Sequence, residues 1–254
     1  MQKNNLFHQL YDKLYALKDY AKEVNDLMMI VEKLHPGPVY KILEIGCGTG
    51  NHTVELAKTK TKIVALDTDI CMVDIAREKT KELKNVKIVF DPTEAIKEQE
   101  FDVALAMFNV ITYIPDIKTL LSFFNTVSSC LKHNGVFIFD CWNGIAVIKD
   151  PPGLKVIEAD DGNRKINCEI ISSTDLFNQK VRLEYKLKVS EPGGYIVARD
   201  SYMLDQTLWT PQQIKFALEE NKFQVLECCK NFQPGKQAEE SDWKIMFICK
   251  KVNR

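Results

Sequence analysis

The stretch Leu43-Glu44-Ile45-Gly46-Cys47-Gly48-Thr49-Gly50 is where this 254-residue chain most plainly could do chemistry. An apolar run ends in an acidic residue, followed by three glycines at alternate positions. Glycine lets the main chain turn sharply and approach a ligand closely. A helix start after such a turn presents free N–H groups to a carboxylate or phosphate. The dinucleotide fingerprint G-x-G-x-x-G would require glycine at position 51, where the chain has Asn51. Glu44, two residues before the first glycine, also argues against that reading.

Further reactive groups recur where apolar runs end. Val64-Ala-Leu-Asp67 closes on a carboxylate 21 positions past Gly46, placed to accept hydrogen bonds from ribose hydroxyls or to cap a helix. Phe90-Asp91 closes a third run, and Asp91-Pro92-Thr93 could equally be a turn. Met107-Phe108-Asn109 closes a fourth, followed by Val110-Ile-Thr-Tyr113. Acidic or amide groups at the ends of successive strands are the arrangement with which open α/β sheets bind ligands.

The elements that would position these groups follow from periodicity. Strands are expected over Val39–Ile45, Lys62–Asp67, Val86–Phe90, Phe101–Phe108 and Val136–Phe139, and helices over Asn51–Lys58, Ile70–Glu82 and Ile117–Leu131. Near-continuous apolar strands alternating with helices predict a parallel sheet covered on both faces. Before them, Leu10, Leu14, Leu17, Val24, Leu27, Met28 and Val31 recur at helical spacing with a gap around Tyr20, predicting a helix over Leu6–Leu34 stopped by His35-Pro-Gly-Pro38. After about Asp150 the pattern changes. Arg182-Leu-Glu-Tyr-Lys-Leu-Lys-Val189 alternates with period two, between the turn signals Leu176-Phe-Asn178 and Glu191-Pro-Gly-Gly194. That predicts an antiparallel sheet with one solvated face. Thr210-Pro211 opens a helix to about Glu220, and strands over Gln224–Cys229 and Lys244–Lys250 close the chain. The expected fold is α/β: a doubly wound, mostly parallel sheet of seven strands with an inserted antiparallel β subdomain and an N-terminal helical lid. The expected division is 1–37 lid, 38–149 core, 150–207 insert and 208–254 completing the core sheet.

Composition narrows the partners. With 34 basic and 35 acidic residues the formal charge is −1, so no electrostatic footprint for nucleic acid or an anionic membrane is expected. The eight cysteines form no C-x-x-C pair and no zinc-ligand spacing. They read as small buried hydrophobes in a reducing compartment, and no metal is expected. No apolar stretch nears the ~20 residues needed to span a bilayer, and Met1-Gln-Lys-Asn-Asn5 has no apolar core of a signal peptide. A cytoplasmic protein, monomer or homodimer, is expected.

The glycine stretch resembles motif I of the class I S-adenosylmethionine-dependent methyltransferases, E/D-x-G-x-G-x-G. The resemblance implies a Rossmann-like fold, S-adenosylmethionine as cofactor and S-adenosylhomocysteine as product. It implies that Gly46, Cys47 and Gly48 lie against the methionine portion, with Glu44 helping its ammonium. Asp67 and Thr68 would serve the ribose and Met72 would pack on the adenine, although Met72 also suits a helix core. Asp91, with Pro92 and Thr93, would face the adenine amino group, and Met107, Phe108 and Asn109 would lie beside the adenine and the reacting methyl. Tyr11-Asp-Lys-Leu-Tyr15 and Lys18-Asp-Tyr20 resemble the N-terminal lid of the sugar methyltransferases, aminosugar N- and hexose O-methyltransferases among them, which places Tyr20 at the cofactor. Phe139-Asp-Cys-Trp142-Asn-Gly-Ile-Ala-Val-Ile148 resembles their segment after strand five, except that Asn143 stands where some relatives carry another aromatic.

The resemblance thus implies methyl transfer to a hydroxyl or amine of a small polar metabolite, with a sugar as the suggested class. Tyr11 and Asn143 are the expected catalytic residues, and Tyr113, Asp140 and Tyr202 are further candidates. Catalysis is expected mainly from proximity and orientation. Two other readings stand beside it. A methyltransferase for RNA or protein is opposed by the balanced charge, and the N/D-P-P-Y/F signature of base or glutamine N-methylation is absent at Phe108-Asn-Val-Ile111. A silent cofactor-binding protein would be favoured by degraded glycines, which here are intact.

Overall fold

Apolar runs from residue 41 onward build the strands of one large sheet. The computed structural model describes residues 5–97, 100–160 and 162–252; the first four residues of the segment read as a lid lie outside them. The sheet strands are β1 (Lys41–Ile45), β2 (Lys62–Leu66), β3 (Val86–Val89), β4 (Phe101–Ala106), β5 (Leu131–Trp142), β10 (Phe223–Lys230), β11 (Gln233–Gln237) and β12 (Lys244–Lys251). Their order is β11-β10-β12-β5-β4-β1-β2-β3. Strands β1 to β5 run parallel to their neighbours among themselves, and β12 joins β5 antiparallel. The chain winds one way from β1 to β3 and the other way from β4 to β5. The switch point therefore lies between β1 and β4, where a ligand crevice is expected to open.

Alternation along the strands sorts side chains to two cores. On one face Leu43, Val64, Ala104, Phe137, Phe139 and Phe247 meet Leu120 and Phe124 of α6 (Ile117–Cys130) and Ile214 and Leu218 of α8 (Pro211–Glu220). On the other, Ile42, Ile63, Val103 and Ile138 meet Leu27 and Val31 of α2 (Tyr20–Leu34) and Leu56 of α3 (Asn51–Ala57). Burial of each such side chain is worth about 1.5–3 kcal/mol.

A second sheet, β6 (Lys155–Asp160), β7 (Lys165–Asp175), β8 (Lys180–Ser190) and β9 (Ile196–Thr207), is an antiparallel meander. Its inner face, with Cys168, Leu183, Tyr185 and Leu187, forms a third core with Phe7, Leu10 and Leu14 of α1 (Leu6–Leu14). Along β8 its outer face is polar, with Arg182, Glu184, Lys186 and Lys188, as the period-two pattern requires.

Several expectations need correction. The N-terminal helix is two helices, because Asp19 accepts from the Lys22 N–H (2.8 Å) and starts α2 afresh. Leu17, read as part of an apolar stripe, falls in the break and is fully exposed. The sheet has eight strands rather than seven. The extra one, β11, contains Gln233-Pro-Gly-Lys-Gln237, a fully exposed edge strand with no apolar pattern to announce it. Two short helices, α5 (Pro92–Lys97) and α7 (Gly144–Lys149), were also not anticipated. Among the described residues no helix is long and apolar enough to cross a membrane.

Candidate functional site

The crevice at the switch point opens into a cavity of about 710 Å³. Its floor is the loop from β1 to α3. Gly46 has φ +69°, in the left-handed region, and a Cβ there would stand 2.4 Å from Val110 Cγ2, so glycine is required on both counts. The Gly46 and Cys47 N–H groups donate to Leu66 O (2.7 and 3.0 Å). The Gly48 N–H donates to Asp67 Oδ2 (2.7 Å), and the Asp69 N–H to Asp67 Oδ1 (2.8 Å). Asp67 at the end of β2 thus ties the loop to its own turn while lining the cavity. Burial pushes its carboxyl up, and these main-chain donors draw it back part of the way.

Glu44 lies beneath the loop. It is buried, accepts a hydrogen bond from Thr53 Oγ1 (2.6 Å), and is pushed up to about 7 by burial against the opposing pull of His52 and Thr53. Thr68, Met72, Pro92, Met107 and Phe108 line the cavity with Gly46, Cys47, Gly48 and Asp67. Phe108 and Asn109 both have positive φ (69° and 65°). Two consecutive non-glycine residues in that region are uncommon, and they turn the chain from β4 into the 3₁₀ turn Val110–Tyr113. The Asn109 N–H donates to Asp140 Oδ1 (3.1 Å). Glu44, Asp91, Thr93 and Asn109, expected at the cofactor, do not line the cavity; Glu44 and Asn109 are buried behind it. Asp91 is exposed and accepts from the Thr93 N–H (2.8 Å), which is the turn role the sequence left open.

Tyr11 and Tyr20 reach the cavity from the N-terminal helices. Asp12 clasps α1 to the glycine loop, accepting from Thr49 Oγ1 (2.6 Å), Asn51 Nδ2 (2.9 Å) and Lys79 Nζ (2.7 Å). Burial would raise its pKa, but these three partners lower it further than burial raises it. His52 Nε2 pairs with Glu23 Oε2 (2.7 Å) of α2, and Lys18 pairs with the same carboxylate. His8 Nε2 meets Asp69 Oδ2 (2.9 Å). From the second sheet, Tyr202 and Leu204 of β9 close the wall, and the Tyr202 ring stacks on Phe7 at 4.3 Å.

Asn143 requires correction. It is buried, caps α7 by accepting from the Ile145 N–H (3.1 Å), donates through Nδ2 to Glu239 O (3.2 Å), and is absent from the cavity wall. Both ends of its amide hold structure together. Sequence reasoning missed Asp12, Asp69, Phe7 and Leu204. Only Leu204 carried a usable signal, its alternation with Tyr202 on one strand. His8, Asp69 and Cys71 lie close enough together to hold a metal ion. However, the imidazole is engaged at Nε2 by Asp69 and at Nδ1 by the Asn5 N–H (3.4 Å).

Sheet order, glycine loop and strand-end carboxylate together define the class I, S-adenosylmethionine-dependent methyltransferase fold. Residues 42–135 match the family model described as a methyltransferase domain. Over these residues the chain is similar to that family, and S-adenosylmethionine is the cofactor of the class whose fold it shares. Gly48 and Asp67, both at the cavity, fit it: open space lies where a Cβ on Gly48 would stand, and Asp67 offers carboxylate oxygens to a diol.

Among individual proteins, the chain is 26% identical over 142 residues to nodulation protein S of Sinorhizobium fredii, covering 53% of this chain and 65% of that one. It is 33% identical over 73 residues to a probable ribosomal RNA small subunit methyltransferase A of Methanosarcina barkeri, covering 29% and 25%. The chain therefore spans less than two thirds of the length of these relatives. A crystal structure of an S-adenosylmethionine-dependent methyltransferase from Clostridium acetobutylicum superposes with a TM-score of 0.79 at 23% identity, covering 97% and 98% of the two chains. The sugar N-methyltransferase KedS8 from Streptoalloteichus superposes with a TM-score of 0.78 at 18% identity, covering 100% and 95%. At these identities the structures establish the fold.

Proposed function

We propose that the chain transfers a methyl group from S-adenosylmethionine to an amine or hydroxyl of a small polar metabolite, with a sugar as the favoured class. The observation that carries this reading is the cover over the site. Helix α1 brings Phe7 and Tyr11 to the cavity wall, clasped to the glycine loop by Asp12 and to β9 by Asp200, which accepts the Leu6 N–H (2.8 Å). A cavity of about 710 Å³ lies within the range of small-ligand sites. The resemblance in fold to a sugar N-methyltransferase supports the same class. The similarity to the ribosomal RNA enzyme covers under a third of this chain, and the net charge of −1 shows no excess of basic residues to draw a phosphate backbone. Within this reading, residues 1–37 act as lid, 38–149 and 208–254 as catalytic core, and 150–207 as the wall that selects the acceptor.

The cofactor supplies a methyl group activated on a sulfonium. Transfer forms a bond from the acceptor nitrogen or oxygen to the methyl carbon as the carbon–sulfur bond breaks, and the acceptor's proton leaves to water. The chain's part is to hold nucleophile and carbon in line and exclude competing water, a contribution of roughly 7–11 kcal/mol. Tyr11, Tyr113 and Tyr202 face the cavity. Burial raises the Tyr11 phenol and pushes Tyr202 up to about 12. They therefore stay protonated at neutral pH and act as hydrogen-bonding groups that orient the acceptor, not as bases. An unprotonated amine, which needs no base, suits this wall better than an alcohol.

The test is to incubate the protein with methyl-labelled S-adenosylmethionine and a cell extract, then count label in small-molecule and macromolecular fractions. Label among small molecules, lost in Asp67→Ala, is the expected result. Label in RNA or protein would overturn it.

A further inference from the structure

Phe108 and Asn109 stand side by side in the left-handed region, with φ of 69° and 65°. Neither is glycine, and in that region a Cβ crowds the following carbonyl oxygen. Strain of this kind persists only where the surrounding structure holds it, and it gathers at functional sites. Here it lies in a turn that brings two residues to the cavity wall, Phe108 at its start and Tyr113 at its end.

The far half of this turn is held by residues in and just after the antiparallel sheet. Thr207 Oγ1 donates to Ile114 O (2.7 Å), Trp209 Nε1 donates to Ile111 O (3.1 Å), and the Lys180 ammonium donates to Pro115 O. The two left-handed residues have a different support, from β5. Asp140 Oδ1 accepts the Asn109 N–H at 3.1 Å, while Thr112 Oγ1 donates to Asn109 O (2.7 Å) from within the turn. With the main chain set in this way, the Phe108 ring meets the edge of Tyr15 at 5.1 Å and the ammonium groups of Lys18 and Lys244 at 5.0 and 5.5 Å. Asp140 itself is 2% exposed and absent from the cavity wall. Burial pushes its carboxyl up, and the Asn109 N–H with Lys244 and Lys18 draws it part of the way back. An apolar residue at this strand end would avoid the cost of burying a carboxyl group; the carboxyl offers the turn an acceptor oxygen that an apolar residue lacks.

We propose that Asp140 is a positioning residue for methyl transfer: by accepting the Asn109 N–H it holds the left-handed pair, and so keeps Phe108 and Tyr113 on the cavity wall where the acceptor is received. It acts through the turn and touches no reacting atom. The role requires an acceptor oxygen at this place, not a negative charge and not a proton shuttle. The inference rests on the methyltransferase reading.

The probe is the small-molecule extract fraction that the wild type labels from methyl-labelled S-adenosylmethionine. Initial rates are measured against dilution of that fraction, well below the lowest melting temperature of the set. The set is wild type, Asp140→Asn, Asp140→Ala, and Asp140→Ala combined with Asn109→Gly. Asparagine keeps Oδ1 and removes the charge. Glycine at 109 removes the Cβ that makes the left-handed turn costly, so it lets the turn form without Asp140. Asp140→Ala is expected to be at least tenfold slower at saturating extract, Asp140→Asn within about threefold of wild type, and the double variant at least threefold faster than Asp140→Ala. That recovery is not expected of a residue that only stabilises the fold. In a crystal structure of Asp140→Ala, Phe108 and Asn109 are expected to leave the left-handed region and Tyr113 to move from the cavity wall. A rate within twofold of wild type in Asp140→Ala, an asparagine variant as slow as the alanine one, no recovery with glycine, or an unchanged turn in the crystal would each overturn the assignment while leaving methyl transfer intact. A wild type that labels nothing would remove the methyltransferase reading, and this role with it.

Discussion

The two walls of the cavity are made in different ways. The wall proposed for the cofactor is main chain and short-range: Gly46, Cys47, Gly48 and Asp67 lie within 22 residues of one another, the Gly46 and Cys47 N–H groups donating to Leu66 O and the Gly48 and Asp69 N–H groups to the Asp67 carboxylate. The opposite wall is side chain and long-range, drawing Tyr11 from α1, Tyr113 from the turn after β4, and Tyr202 and Leu204 from β9. A wall of backbone geometry fixes one ligand and tolerates few substitutions. A wall of side chains from separate elements can change its ligand without disturbing the fold. On the proposed function, the first wall meets the cofactor and the second the acceptor.

The largest expected effect probes the first wall from beneath. Glu44 holds its proton up to about pH 7 in the folded chain, against an ordinary value of 4.5. Between these pH values the folded state binds more protons than the unfolded one, so stability falls as pH rises through 4.5 to 7 and is level above. The full change is about 3 kcal/mol. Glu44→Gln, always neutral, should lose this dependence and gain on the wild type by that amount between pH 4.5 and 8, as read from urea melts of the cofactor-free proteins. Parallel pH profiles would show that Glu44 ionises freely and that the floor is not dry.

Next in size is Gly46→Ala. A left-handed φ costs an alanine about 1–2 kcal/mol, and its Cβ would push Val110 away. S-adenosylhomocysteine binding by calorimetry should weaken roughly 30-fold. Affinity within twofold of wild type would mean that the loop is not rigid and would erase the contrast between the walls.

How much of this was legible follows the same divide. Glu44, Gly46, Gly48 and Asp67 could be read because one strand, one turn and one helix place them, and glycine spacing is a local signal. The parallel strands were legible because burial on both faces leaves continuous apolar runs. Asp12 was not legible. It acquires meaning only when Thr49, Asn51 and Lys79 arrive 37 to 67 residues later. The break at residues 15–19 left only a gap around Tyr20 in the apolar spacing, too weak to divide one helix from two, while a single capping bond accepted by Asp19 decides it. Asn143 misled because an amide in a segment resembling substrate-binding relatives looks the same in sequence whether it caps a helix or meets a ligand.

A smaller effect tests the clasp between the walls. Asp12→Ala removes three hydrogen bonds, but the carboxylate is 41% exposed in its pair with Lys79, so solvent screening limits the loss to about 1 kcal/mol. S-adenosylhomocysteine affinity should fall about fivefold, and α1 should become the first site of limited proteolysis. Unchanged protection would show that the aromatic contacts of Phe7 with Tyr202 and Tyr185 hold the lid unaided.

The smallest functional effect is expected at Asn143, and it sharpens the boundary of the acceptor wall. Asn143→Ala removes the cap of α7 and the bond to Glu239 O, which should cost about 1 kcal/mol in stability. Methyl transfer at a temperature well below the melt should change less than twofold, because neither end of the amide faces the cavity. The Gly144 N–H bond to Trp209 O (2.9 Å) is main chain and survives the substitution. The support that α7 gives to the Trp209 segment therefore persists, and with it the Tyr113 loop. A loss beyond tenfold in activity with normal S-adenosylhomocysteine binding would show that this support depends on the cap, and would extend the acceptor wall outward to α7.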